Sequence, residues 1–224
     1  MQTDKIRRLL PISGVIGSLL LAAGLFASPN IDQLSATNQA EVIGAYQDNQ
    51  TALIVTGFPL TLLAVLFLIP LLTELRATLR SNEAGEAVYS TLVTIGGTIL
   101  ATSMLLMGMF QTAVAEAVDS KLSTDSLLAL AAINDQSWMP WLVGMAVLLL
   151  AVGIGGLRTL ALPKALSWVS IVLGALCVTG IGGIAVFMVS PLWFLATSVV
   201  LLRAQRAEQP NQSRKTAEPV PAAG

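Results

Sequence analysis

Residues 165–202 read ALSWVSIVLGALCVTGIGGIAVFMVSPLWFLATSVVLL, 38 residues without a charged side chain. A helix needs about 20 apolar residues to cross a hydrocarbon core of about 30 Å. One helix of this stretch is far too long for a single crossing, so it reads as a hairpin of two. The turn best fits Met188-Val189-Ser190-Pro191, with Pro191 opening the last helix. A turn at Gly180 to Gly183 is the alternative. Working outward, the same reading recurs. The brief basic connector Arg158 to Lys164 precedes the hairpin, and four more apolar runs lie before it. The sequence therefore predicts an all-α integral membrane protein, a six-helix transmembrane bundle. Its spans fall at about 9–27, 52–72, 88–114, 138–157, 165–187 and 191–203. Over the whole chain of 224 residues, 54% are hydrophobic and 11% charged, against about 25% charged in a soluble domain.

The connectors set the direction. Lys5, Arg7, Arg8, Arg76, Arg80, Arg158, Lys164, Arg203, Arg206, Arg214 and Lys215 fall on one side of a six-span chain, and Lys121 alone falls on the other. Basic residues near spans stay in the cytoplasm, so both the N and the C terminus are expected to be cytoplasmic. Trp138, Trp141 and Trp193 are expected at the outer interface, and Trp168 and Tyr89 near the inner one. The run Leu9 to Ala27 resembles a signal-peptide start but is longer than the usual apolar region, so it reads as an uncleaved first span. On the outer side, Asn38-Gln39-Ala40-Glu41 fits a helix start, and a short helix over about 39–50 is expected to feed into the second span. Leu127 to Ile133 reads as a short interfacial helix capped by Ser123 or Thr124. Glu74 to Glu86 reads as a charged connector. The tail 204–224, with Pro210, Pro219 and Pro221, reads as a disordered cytoplasmic segment.

The chemistry is defined mostly by what is missing. There is no histidine, which removes intramembrane Ser–His proteases, His-dependent acyltransferases and bis-His haem proteins. Cys177 is alone, so no disulfide or C-x-x-C motif exists. No charge sits in the middle of a span, which argues against a proton-coupled path or a voltage sensor. Glu116 and Asp119 are the carboxylates an enzyme would use, but a solvated acidic loop is the ordinary reading. No catalytic residue and no cofactor is assigned.

Three patterns remain. Thr91, Thr94, Thr98 and Thr102 share one face of the third span, beside Gly97 and Ala101. They either line a polar path, or else bond their own i−4 carbonyls or pack small against a neighbouring helix, and this second reading is expected. The methionines lie toward the outer side. Gap filling is their usual role, but Met104, Met107, Met145 and Met188 are candidate Cu(I) ligands if their sulfurs converge. The runs Gly153 to Gly156 and Gly180 to Gly183 are explained by close helix packing.

Some stretches look familiar: the basic start before Leu9 to Ala27, the segment Asn38 to Gln50, the connector Pro70-Leu71-Leu72 to Arg80, and Ser190-Pro191-Leu192-Trp193 to Leu202-Arg203. The layout over residues 5–206 resembles the DUF4386-like group of bacterial, often actinobacterial, membrane proteins. The resemblance implies a multi-pass protein of the bacterial cell (inner) membrane and no particular activity. The expected function is a non-enzymatic accessory or scaffold component of the cell envelope, with a passive carrier or channel for a small solute as the alternative. The lipid bilayer and unidentified proteins are the expected partners, and nucleic acid is not one.

Overall fold

In the computed structural model, residues 2–29, 31, 39–120, 122–179 and 181–217 are described, with backbone alone for 2–9, 39, 181 and 208–217. The described residues form nine helices: α1 (Gln2–Ala27), α2 (Gln39–Asp48), α3 (Gln50–Thr56), α4 (Phe58–Arg80), α5 (Val88–Ala117), α6 (Thr124–Gln136), α7 (Met139–Thr159), α8 (Lys164–Val178) and α9 (Ile181–Ala217). The neighbours run α1, α4, α5, α7, α8, α9 and back to α1, closing a ring in chain order. Fully buried side chains fill its middle: Leu71 and Leu75 from α4, Leu148 and Val152 from α7, Phe194 from α9. The outer surface is equally apolar. Leu19, Leu66, Val143, Val172 and Ile184, from five different helices, are each more than half exposed. Such a belt of bare aliphatic side chains fits lipid and not water.

Five helical stretches are long and apolar enough to cross a membrane, within α1, α3–α4, α5, α6–α7 and α9. The apolar α8 has 15 residues, or about 22 Å at 1.5 Å per residue, short of the roughly 30 Å core. The architecture is that of a helical, multi-pass membrane bundle.

Small residues set how close the helices come. An added Cβ at Gly96 would lie 2.6 Å from Leu148 N, and one at Gly144 would lie 2.5 Å from Leu100 N. The backbones of α5 and α7 therefore touch at a reciprocal crossing. Gly153 and Gly156 face Ser167 of α8, and Gly155 faces Tyr89 of α5. Close packing accounts for this run, as expected.

One end of the bundle is capped. Val42, Tyr46, Leu53, Val114, Val118 and Ala131, from α2, α3, α5 and α6, make a small second core there. The short helix before the second span is present as α2, and α6 begins at Ser123, whose Oγ accepts from Ser126 N at 3.3 Å. The expected cap Asn38 lies outside the described residues, as do Lys121, Gly180 and 218–224. The other end carries Arg76, Arg80, Arg158, Lys164 and Arg203. There Glu83 caps α5, accepting from Tyr89 N at 2.7 Å, Ser90 N at 3.0 Å and Ser90 Oγ at 2.6 Å.

Several expectations are corrected. The chain does not turn at Met188 to Pro191. It turns between Val178 and Ile181, and α9 runs straight through Pro191. Proline at 191 leaves the Phe187 carbonyl without its helical donor, and Ser190 Oγ donates to that carbonyl at 2.8 Å. The lost bond is replaced within the helix, so the proline breaks nothing. The stretches expected as spans at 165–187 and 191–203 fall instead in α8 and the first part of α9. Trp193 consequently leaves the interface. It sits 12 residues into α9, about 18 Å along the axis, buried, with Nε1 donating to Ser170 Oγ at 2.9 Å. Residues 204–217, expected to be disordered, continue α9. Ala204, Gln205, Arg206, Ala207 and Glu208 are mostly strong helix formers, and they extend a helix already nucleated. Glu74, expected in a connector, is buried within α4, where its Oε1 accepts from Gln205 Nε2 at 3.1 Å.

The facing of the threonine stripe is also corrected. Thr91, Thr94, Thr98 and Thr102 are exposed on the outside of α5, while Gly96, Gly97, Leu100 and Ser103 face inward. Thr94 Oγ1 donates to Ser90 O at 3.1 Å. A hydroxyl satisfied by its own helix tolerates a lipid-facing position, so the backbone crossing at Gly96 decides which face turns in. Replacing Thr94, Thr98 and Thr102 together with valine is expected to shift stability in detergent by under about 0.5 kcal/mol. A large drop in melting temperature would place these side chains in a helix contact.

Candidate functional site

The second membrane stretch is broken. Gly57 separates α3 from α4, and Pro59 sits in the first turn of α4. Side chains take over the freed backbone groups. Phe58 N donates to Thr112 Oγ1 at 3.0 Å, and Thr61 Oγ1 donates to Thr56 O at 3.3 Å. Glycine is required at 57 by space: a Cβ would lie 2.5 Å from Thr112 Oγ1 and 3.0 Å from Gly108 O. A break in a membrane helix survives only where protein covers it or where it lines a cavity, and broken helices recur at ligand sites.

Gln111 of α5 sits beside the break. Its Nε2 donates to Thr56 Oγ1 at 2.8 Å, Ser28 Oγ at 3.2 Å and Leu53 O at 3.3 Å. One amide thus ties Ser28, just past α1, and Leu53 and Thr56 of α3 to α5. Its Oε1 has no donor among the described residues.

A cavity of two lobes surrounds this amide. Both lobes share Ser28, Pro29, Met107, Gln111 and Phe187 in their walls. The deeper lobe has a volume of about 420 Å³ and is mostly apolar, with Leu21, Leu25, Leu60, Ala64, Met104 and Trp141 among its lining. The upper lobe, about 330 Å³, is lined toward the cap by Tyr46, Asn134, Asp135 and Ser137. Each falls within the ordinary range for a small-molecule site, roughly 300–1,000 Å³.

Glycines on α1 explain why the lobe opens. A Cβ at Gly14 would collide with Ser198 Oγ; at Gly17 it would lie 3.0 Å from Leu68; at Gly24 it would lie 3.5 Å from Leu60. Helix α1 is thus tight against α4 and α9 at one end and spreads from them toward the cap. Leu20, Leu21, Leu25 and Met188 line the deeper lobe and keep part of their surface exposed, so the lobe is open on the side of α1 and α9.

Among the described residues the cavity is blind. Beyond Met104 the next void, bounded by Val65, Leu68 and Leu100, holds about 10 Å³. One water needs about 10–15 Å³. Further on, Leu71, Leu75, Leu148 and Phe194 are packed solid.

One polar group in this wall is unsatisfied. Trp141 is 1% exposed, and its Nε1 has no hydrogen-bond partner among the described residues. Its ring meets Phe187 edge to face at 4.8 Å.

The candidate methionines divide. Met104, Met107 and Met188 line the deeper lobe, while Met145, one turn beyond Trp141, is buried in the filled core and lines neither lobe. Among the described residues no group of three His, Cys, Asp or Glu side chains is placed to hold a metal. The acidic pair singled out from sequence is separated in role: Glu116 is exposed, and Asp119 accepts from Gln50 Nε2 at 2.8 Å, tying α3 to α5. Gly57, Gln111, Thr112 and Trp141 were not singled out as site residues by sequence reasoning. The available signal was a glycine two residues before Pro59 in an apolar run, and a lone amide at 111 in another. No family model, curated protein or solved structure matches the chain.

Proposed function

We infer that the chain crosses a bacterial cell membrane six times, with both termini cytoplasmic, and serves there as a non-enzymatic accessory component and not as a conduit. The blind cavity carries this reading. A channel needs a continuous polar path, and here the path stops at Met104 and Trp141 above a solid aliphatic core. The direction rests on charge: the basic end meets the cytoplasm and the capped, acidic end faces out. The six-span count treats α8 as a short span, completed by the exposed apolar Leu160 and by local thinning of the bilayer. Membership of the DUF4386-like group belongs to the same reading and rests on the shared layout of residues 5–206.

Two measurements test it. Reporter fusions after Arg80, Lys164 and Arg206 are expected to read cytoplasmic, and fusions near Gln47 and Asp125 external. One reversed pair ends the six-span arrangement. Proteoliposomes are expected to pass glycerol, urea and potassium no faster than protein-free vesicles. Saturable flux above that background would return the carrier reading.

A further inference from the structure

We propose that the two-lobed cavity binds a single-chain amphiphile with an uncharged, hydroxyl-bearing head, taken from the leaflet on the capped side. The proposal rests on the placement of that end outside the cell for the choice of leaflet, and on nothing else in the accessory reading. The deeper lobe suits an aliphatic chain. Its walls are leucine, alanine, methionine and aromatic side chains, and it is open on the side of α1 and α9, where lipid surrounds the belt of exposed aliphatics. The upper lobe suits a polar head, with Asn134 and Ser137 at its wall.

Two unused hydrogen-bonding groups belong to wall residues, Gln111 where the lobes meet and Trp141 in the deeper lobe. Trp141 Nε1 is a buried donor with no partner, and such groups are rare because desolvation is not repaid. Gln111 Oε1 is an acceptor with no described donor. A hydroxyl can serve either kind of group, accepting from an N–H or donating to an amide oxygen. An anionic head is disfavoured. Among the described residues no Lys or Arg lines either lobe, and the one charged residue there is Asp135. A carboxylate or phosphate brought to the junction would be desolvated with no cation to pair it.

The test is retention of radiolabelled 1-monooleoylglycerol by the purified full chain in dodecyl maltoside, with oleate as the anionic comparison at pH 8. The expected result is saturable binding near one molecule per chain, with oleate bound at least ~10-fold more weakly. Gly24→Phe fills the deeper lobe from α1, where a Cβ has ordinary space, and is expected to abolish binding. Trp141→Phe removes the donor together with one ring of the indole, and is expected to weaken binding about 3–10-fold while the melting temperature without lipid falls through the void left behind. Trp141→Phe adds no atoms to the packed interior, so it keeps the test intact should Gly24→Phe fail to fold. Equal retention of monooleoylglycerol and oleate, no saturable binding, or binding untouched in a folded Gly24→Phe or Trp141→Phe protein would overturn the proposal. None of these outcomes depends on flux or on the fusion reporters, so the two readings fail separately.

Discussion

Gly144→Val is expected to remove most folded protein from the membrane, and Gly96→Val to do the same. At both positions the obstructing atoms are backbone. The new Cβ on 144 would sit 2.5 Å from Leu100 N and 2.9 Å from its Cα; that on 96 would sit 2.6 Å from Leu148 N and 3.0 Å from its Cα. A side chain in the way can rotate, but a helix backbone moves only as a body. Helices α5 and α7 must separate, and the separation opens the core around Leu100, Met104, Met145, Leu148 and Leu149. Overpacking alone costs about 1–3 kcal/mol, and the lost contacts add to it. A total of ~3 kcal/mol or more corresponds to ~6–12 °C for a chain of this size. The control is the same class of change where space is free. Nothing lies within 4 Å of a Cβ at Gly44 in α2, so Gly44→Ala should be neutral or stabilise by up to ~1 kcal/mol. Melting in detergent by fluorescence size-exclusion separates the cases. A Gly144→Val protein that melts like wild type would mean that α5 and α7 do not cross there.

That crossing also marks the limit of sequence reading for this fold. The apolar runs identified the helices of the bundle, because burial in lipid depends on composition and length. Which face of each helix turns inward was less legible. In water, polarity sorts the faces; in lipid both faces are apolar, and backbone approach sorts them. Gly96 and Gly144 carried that information, and the threonines one step around α5 concealed it. The turn between α8 and α9 was misplaced for a related reason. Pro191 is a strong break signal in soluble chains, but Ser190 Oγ supplies the Phe187 carbonyl with a donor. A proline next to serine inside an apolar run therefore reads differently from proline alone. The break that matters lies at Gly57, where Thr112 and Gln111 reach across from a segment more than 50 residues away. No local pattern joins those residues. They meet because α3 and α4 pack against α5, and that packing emerges from the ring as a whole.

Gln111 is where this junction can be tested directly. Gln111→Leu keeps roughly the volume and deletes an amide that bonds three acceptors on α1 and α3. Two of the three have alternatives: Thr56 Oγ1 still donates to Ala52 O, and Leu53 O still accepts from Gly57 N. Ser28 loses its tie, and with it the end of α1 loses its polar link to α5. The expected cost is ~1–3 kcal/mol, seen as a fall of ~2–12 °C in detergent. Gln111→Glu is the sharper variant, being nearly isosteric yet unable to donate when ionised. At neutral pH its carboxylate faces the Leu53 carbonyl without a hydrogen to offer, in an apolar wall that disfavours charge. Burying that charge costs stability that protonation restores, so stability falls as pH rises. The variant should melt well below Gln111→Leu at pH 7 and recover on acidification, as the protonated acid regains a donor. Melting curves for both variants at pH 7 and pH 5 decide it. Parallel curves for Gln111→Glu and Gln111→Leu at the two pH values would mean that residue 111 faces water, and the described cavity wall would be wrong at its centre.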